Sequence, residues 1–119
     1  MESELIIKKS KFYGYGYEVK TEEEIKQILE KLKKENKKAT HICYAYSLSS
    51  NGVLKEKFCD DNEPNGTAGR PILEVIKKKN LTNIVVFVVR YFGGIKLGAG
   101  GLIRAYTKTT SSTLENKWK

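Results

Sequence analysis

The longest unbroken apolar run in the chain is Ile84–Val89, Ile-Val-Val-Phe-Val-Val. It carries no polar residue on either alternating side and stops at Arg90, which predicts a strand buried on both faces. Glycines follow at 93, 94, 98, 100 and 101, and then Ala99, Leu102, Ile103, Tyr106, Thr110 and Leu114 recur at helical spacing. The Thr and Ser run from Thr107 to Thr113 has poor helix propensity, yet its spacing fits a helix better than a strand.

Three earlier segments alternate or repeat as clearly. Lys11–Val19 places Tyr13, Tyr15, Tyr17 and Val19 on one face and Phe12, Gly14 and Gly16 on the other, so it reads as a strand whose glycines mark a bulge or a close neighbour. The tyrosine rings are expected to cover the core with their hydroxyls wet; stacking on bases is the alternative. Thr21 and Glu24 form a capping-box pattern, and Ile25, Ile28, Leu29 and Leu32 continue it as a helix ending near Asn36. Ala39–Leu48 alternates again, Ser49-Ser-Asn-Gly52 is a hairpin signal, and Val53–Cys59 is the returning strand.

A loop, Asp60–Pro71, then leads to a helix carrying Ile72, Leu73, Val75 and Ile76 on its apolar side. Thr67 is expected to cap that helix, Pro71 to sit in its first turn, and Asn80 to end it after Lys77–Lys79. The order strand, helix, strand, strand, helix, strand, helix predicts an α+β two-layer sandwich: a mixed four-stranded sheet with helices on one face. No linker, repeat or low-complexity segment interrupts it, so a single domain over 1–119 is expected.

Charge narrows the class of partner. The net charge is +8, of which +3 lies up to Cys59 and +5 from Asp60 onward, in the half that holds the glycines. That excess favours an acidic partner such as nucleic acid, although solvated lysines such as Lys77–Lys79 add to the total without binding anything. No apolar stretch approaches the ~20 residues of a membrane span. The start, Met-Glu-Ser-Glu, does not read as a secretory signal, so a cytoplasmic location is expected, with Cys43 and Cys59 as free thiols.

Two loops carry the candidate chemistry. A strand feeding a glycine-rich turn and a helix start suits an anion, because bare backbone N–H groups and the helix terminus both favour negative charge. The expected ligand or nucleic-acid site is Arg90, Tyr91, Gly93, Gly94, Lys96, Gly98, Gly100 and Gly101, flanked by Arg70 and Arg104. The pattern GxxxxGK[ST] fails because Ala99 and Gly100 follow Gly98, and GxGxxG fails at Ile103. The plain alternative is a tight turn packed under the sheet. In the other loop, Asp60, Asp61 and Glu63 either hold a divalent cation or pair with Arg70, Arg90 or Arg104; pairing is favoured, because no further ligand is apparent. Gly66, Thr67 and Gly69 complete that loop. His41, the lone histidine, shares a face with Cys43 and Ala45 and reads as a packed polar group before it reads as a catalyst. No cofactor is expected.

The segments Lys9–Phe12, Ala39–Tyr46, Asp60–Pro71, Leu81–Asn83 and Val88–Leu102 together resemble the Impact/YigZ family in its N-terminal domain. The resemblance implies a fold like the second domain of ribosomal protein S5. It also implies a role in translational control, since eukaryotic members bind the activator of a kinase that phosphorylates an initiation factor. Asn62 and Asn65 stand where members often have glycine and a small residue; Asn tolerates left-handed backbone, so Asn62 is expected to keep the turn. Many bacterial members carry a second, ferredoxin-like domain, which is expected to be absent here. The leading expectation is a non-enzymatic domain that binds RNA or another phosphate-bearing ligand. A regulatory-protein or translation-factor partner is the second reading, and a metal-dependent enzyme acting on a phosphorylated substrate the third.

Overall fold

The computed structural model describes residues 1–115. Five strands, β1 (Glu2–Ile7), β2 (Ser10–Glu18), β3 (His41–Ser50), β4 (Val53–Cys59) and β5 (Ile84–Tyr91), alternate with three helices, α1 (Glu22–Glu35), α2 (Gly69–Lys78) and α3 (Gly98–Glu115). They form one sheet in the order β1-β2-β5-β3-β4, and every neighbouring pair is antiparallel. The expected α+β architecture therefore holds, but the sheet has five strands rather than four and is not mixed.

The extra strand is β1. Ser3, Leu5 and Ile7 turn inward while Glu2, Glu4 and Ile6 stay out, and the hairpin to β2 closes through Lys8 and Lys9, both at positive φ (47° and 68°). Two lysines are not a hairpin signal, since this turn normally recruits Asn or Gly.

The helices also occupy both faces of the sheet, not one. Because side chains alternate along β5, Ile84, Val86 and Val88 face α2 and α3, while Val85, Phe87 and Val89 face α1 through Ile25 and Leu32. All six are buried, as the uninterrupted apolar run requires. The single-face expectation assigned that run no second cover.

α3 keeps its Thr-rich side through packing. Thr109, Thr110 and Thr113 are buried, each donating its hydroxyl to the carbonyl four residues back at 2.8 Å. Gly14 makes room for them: a Cβ there would lie 2.0 Å from Thr113 Oγ1. The glycine thus marks a close neighbour; the continuous register of β2 shows no bulge. Among the described residues no helix is long and apolar enough to cross a membrane.

Candidate functional site

The site forms where the two glycine-bearing loops meet at one end of the sheet. Their junction is an ion pair between Arg90, the last inward residue of β5, and Glu63 of the loop before α2. Arg90 Nη1 lies 2.9 and 2.8 Å from the two Glu63 carboxylate oxygens, and both side chains are buried. Tyr106 of α3 donates its hydroxyl to Glu63 Oε2, and Arg90 Nη2 donates to Ser10 Oγ at 3.3 Å. The guanidinium also lies over the rings of Phe12 and Phe92, its carbon 5.3 and 5.4 Å from their centroids. Its Nε is the buried side-chain polar atom that lacks a hydrogen-bond partner among the described residues. Arg90 was expected to offer a free charge to a ligand; instead Glu63 neutralises it.

Around this junction sits a polar cluster. His41 Nδ1 lies 2.8 Å from the Asp61 carbonyl, which can only accept, so Nδ1 carries a proton; Nε2 faces Glu63 Oε1 at 3.4 Å. The Cys43 thiol lies 3.1 Å from the Asp60 carbonyl and 3.5 Å from the Tyr106 hydroxyl. Burial pushes the Cys43 thiol and the Tyr106 hydroxyl far above their ordinary pKa values. Both stay protonated at neutral pH and serve as donors, not nucleophiles.

The three acids are consumed by this framework. Asp60 Oδ1 accepts from the N–H groups of Ala68 and Gly69 at 3.2 and 2.8 Å, and Oδ2 from Gly66 at 3.0 Å. Asp61 Oδ2 accepts from the Ile42 N–H at 2.7 Å. The cap of α2 is thus Asp60 acting from eight and nine residues upstream. Thr67 instead donates to the Pro64 carbonyl at 2.6 Å, which corrects its expected role. Among the described residues no group of three His, Cys, Asp or Glu is placed to hold a metal ion, and Asp60, Asp61 and Glu63 are engaged by backbone N–H groups and Arg90. Pairing of Glu63 with Arg90 agrees with the favoured alternative, and Asn62 adopts a positive φ of 68° as expected of a turn residue.

Above the Arg90–Glu63 pair opens a cleft of about 390 Å³, lined by His41, Pro64, Phe92, Lys96, Leu97 and the first residues of α3, Gly98 and Ala99. α3 has no acid in its first turn, and its leading N–H groups precede the intrahelical ladder. The Arg104 side chain folds back over that turn, with Nη1 3.5 Å from where a Cβ on Gly100 would stand. Lys96 and Arg104 therefore remain near the helix start.

The glycines differ in purpose. A Cβ on Gly93 would meet the Lys9 carbonyl carbon at 2.1 Å, so Gly93 is fixed by packing. Gly94 and Gly98 hold positive φ (91° and 75°) with open space around them, and Gly100 would meet nothing closer than the flexible end of Arg104. Gly69 is fixed like Gly93, since a Cβ there would lie 2.7 Å from the Cys59 backbone nitrogen, and Gly66 has positive φ. Two expected members of the site lie elsewhere. Tyr91 points to the opposite sheet face, where its hydroxyl donates to Asn36 Oδ1 at 2.7 Å. Arg70 stacks over Phe58 and lines a separate hollow between α2 and α3 with Ile103 and Thr107, a hollow in which Lys96 takes no part. His41, Phe92 and Leu97 join the cleft without having been expected there; the alternation of β3 put His41 on the face of Cys43 and Ala45 but gave no sign of Glu63 beside it.

Comparison with known proteins places the chain firmly. The profile of the Impact N-terminal domain matches residues 8–114. IMPACT family member YvyE of Bacillus subtilis is 50% identical over 97% of this chain and 52% of its own length. IMPACT family member YigZ of Escherichia coli is 39% identical over 84% of the chain and 50% of its own length. The chain thus spans about half the length of these relatives. Among solved structures, a hypothetical protein superposes with a TM-score of 0.90 at 35% identity, covering 96% of this chain and 56% of that one. The two-domain translational regulator Yih1 superposes with a TM-score of 0.61 at 22% identity, over 92% of this chain and 45% of its own, a likeness of fold.

Proposed function

The chain belongs to the Impact N-terminal domain family, and from that premise we propose that it is a non-enzymatic binding domain of translational regulation whose cleft at the start of α3 takes the phosphate of an RNA. One observation carries the reading. The cleft is built around a neutralised ion pair, so the charges left in its lining to a ligand are Lys96 and the positive end of an 18-residue helix, with Arg104 folded over the helix's first turn outside that lining. A binding role fits better than catalysis, because the titratable groups at the floor of the cleft are committed to one another. Translational regulation is supported by the fold shared with Yih1.

Fluorescence anisotropy with short RNA and DNA at two salt concentrations tests this. Binding that weakens steeply with salt is expected. Absence of binding at low salt, or salt-independent binding, contradicts it. A protein partner is the competing reading; a complex with ribosomal or regulatory proteins that survives nuclease treatment would favour it.

A further inference from the structure

α1 does not cover its sheet face to the edge. It packs Ile25 and Leu32 over β3 and β5, and leaves a strip of β2 partly open. On that strip Tyr13 and Tyr15 stand side by side, with Tyr91 next to Tyr13 on β5, and the rings border a hollow of about 500 Å³. That is within the roughly 300–1,000 Å³ of ligand pockets. Lys9 and Lys11, both exposed, form one rim. Phe92, itself 46% exposed, lines this hollow and also the cleft at α3 on the other side of the sheet end.

We propose that this tyrosine face is a stacking platform for the bases of single-stranded RNA, whose backbone passes from the cleft at α3 across Phe92 and along Lys9 and Lys11. The inference rests on the RNA reading above and adds to it a second surface and a preference for unpaired strands. Three features select this occupant. Tyr13 and Tyr91 meet nearly perpendicular (81°, centroids 6.0 Å apart), which makes a corner able to hold a flat base against one ring face and its edge against the other. The cations lie on the rim where a phosphate chain would run, while Glu2 and Glu4 of β1, opposite Tyr15 and Tyr13, bound the path on the far side. Phe92 lines both hollows, so a strand crossing it would reach from one to the other. An acidic peptide would use the lysines but has no need of the rings.

The test is anisotropy titration of labelled oligouridylate, single-stranded and as a duplex with oligoadenylate, against the full chain. The single strand is expected to bind more tightly than the duplex at equal salt, because only unstacked bases reach the rings. Tyr13→Leu with Tyr15→Leu is expected to lower affinity roughly ten- to a hundred-fold, and Tyr13→Phe to retain it. Lys9→Gln with Lys11→Gln, at exposed positions, is expected to flatten the salt dependence. If the leucine variants bind like the parent, if the duplex binds equally well, or if polyglutamate displaces the RNA as effectively as unlabelled RNA does, the platform is overturned while the cleft reading stands. If the parent binds no RNA at low salt, both are overturned.

Discussion

Arg90 and Glu63, 27 positions apart, meet in a buried pair in which one guanidinium nitrogen contacts both carboxylate oxygens at 2.9 and 2.8 Å. The contact locks the loop before α2 onto the end of β5 and thereby sets the floor of the cleft. Removing one partner leaves the other charge buried and uncompensated, so Glu63→Ala is expected to cost about 3–5 kcal/mol in urea unfolding. Replacing both, as Glu63→Leu with Arg90→Met, is expected to cost markedly less than the two single changes combined. A loss under about 1 kcal/mol for Glu63→Ala would mean the pair is not the junction described.

Asp60 caps α2 from a distance through the N–H groups of Gly66, Ala68 and Gly69. Asp60→Ala is expected to cost about 2 kcal/mol, the upper end for a lost cap. Amide hydrogen exchange should accelerate at Gly66, Ala68 and Gly69 before it does in β5. Unchanged exchange at those three amides would return the capping role to another residue.

Two glycines in the same stretch are expected to respond with opposite sign. Gly93→Ala forces a methyl to within 2.1 Å of the Lys9 carbonyl carbon and is expected to destabilise by about 1–3 kcal/mol. Gly100→Ala meets only the end of Arg104, within a helix that favours Ala over Gly, and is expected to stabilise by up to about 1 kcal/mol. Thermal unfolding of the two variants separates them; a destabilised Gly100→Ala would reveal a constraint the packing does not contain.

The two cysteines should differ in reactivity. Burial holds the Cys43 thiol protonated well above its ordinary range, whereas Cys59 is partly exposed. A disulfide reagent at neutral pH is expected to modify one thiol in the folded chain and both in denaturant. Two fast thiols in the native state would contradict the closed cluster around Glu63.

Much of this fold was legible in the chain because side-chain period and burial agree. The run Ile84–Val89 announced a strand covered twice, and Thr21 with Glu24 announced the start of α1, where the capping box is present. What stayed hidden depended on distant contacts. β1 closes through Lys8 and Lys9, which carry no turn signature, so it could be identified only from its partner β2. Thr67 had the chemistry of a cap, but Asp60 reaches the same amides and displaces it. At the candidate site, the pairing of Glu63 with an arginine was readable in kind, whereas Asp60 and Asp61 turn to backbone N–H groups that the sequence did not mark. That Arg90 would be the neutralised one, and that Tyr91 would face away from it, follows only from the alternation of β5 combined with the packing of both faces.

The central claim is that the start of α3 takes phosphate through Lys96, and the salt dependence of RNA binding to the parent and to Lys96→Gln tests it most directly. Lys96 is exposed and lines the cleft, so the change leaves folding intact. The slope of log affinity against log salt is expected to become shallower by about 0.7, the value of one phosphate contact on a single strand. An unchanged slope with unchanged affinity would contradict the claim.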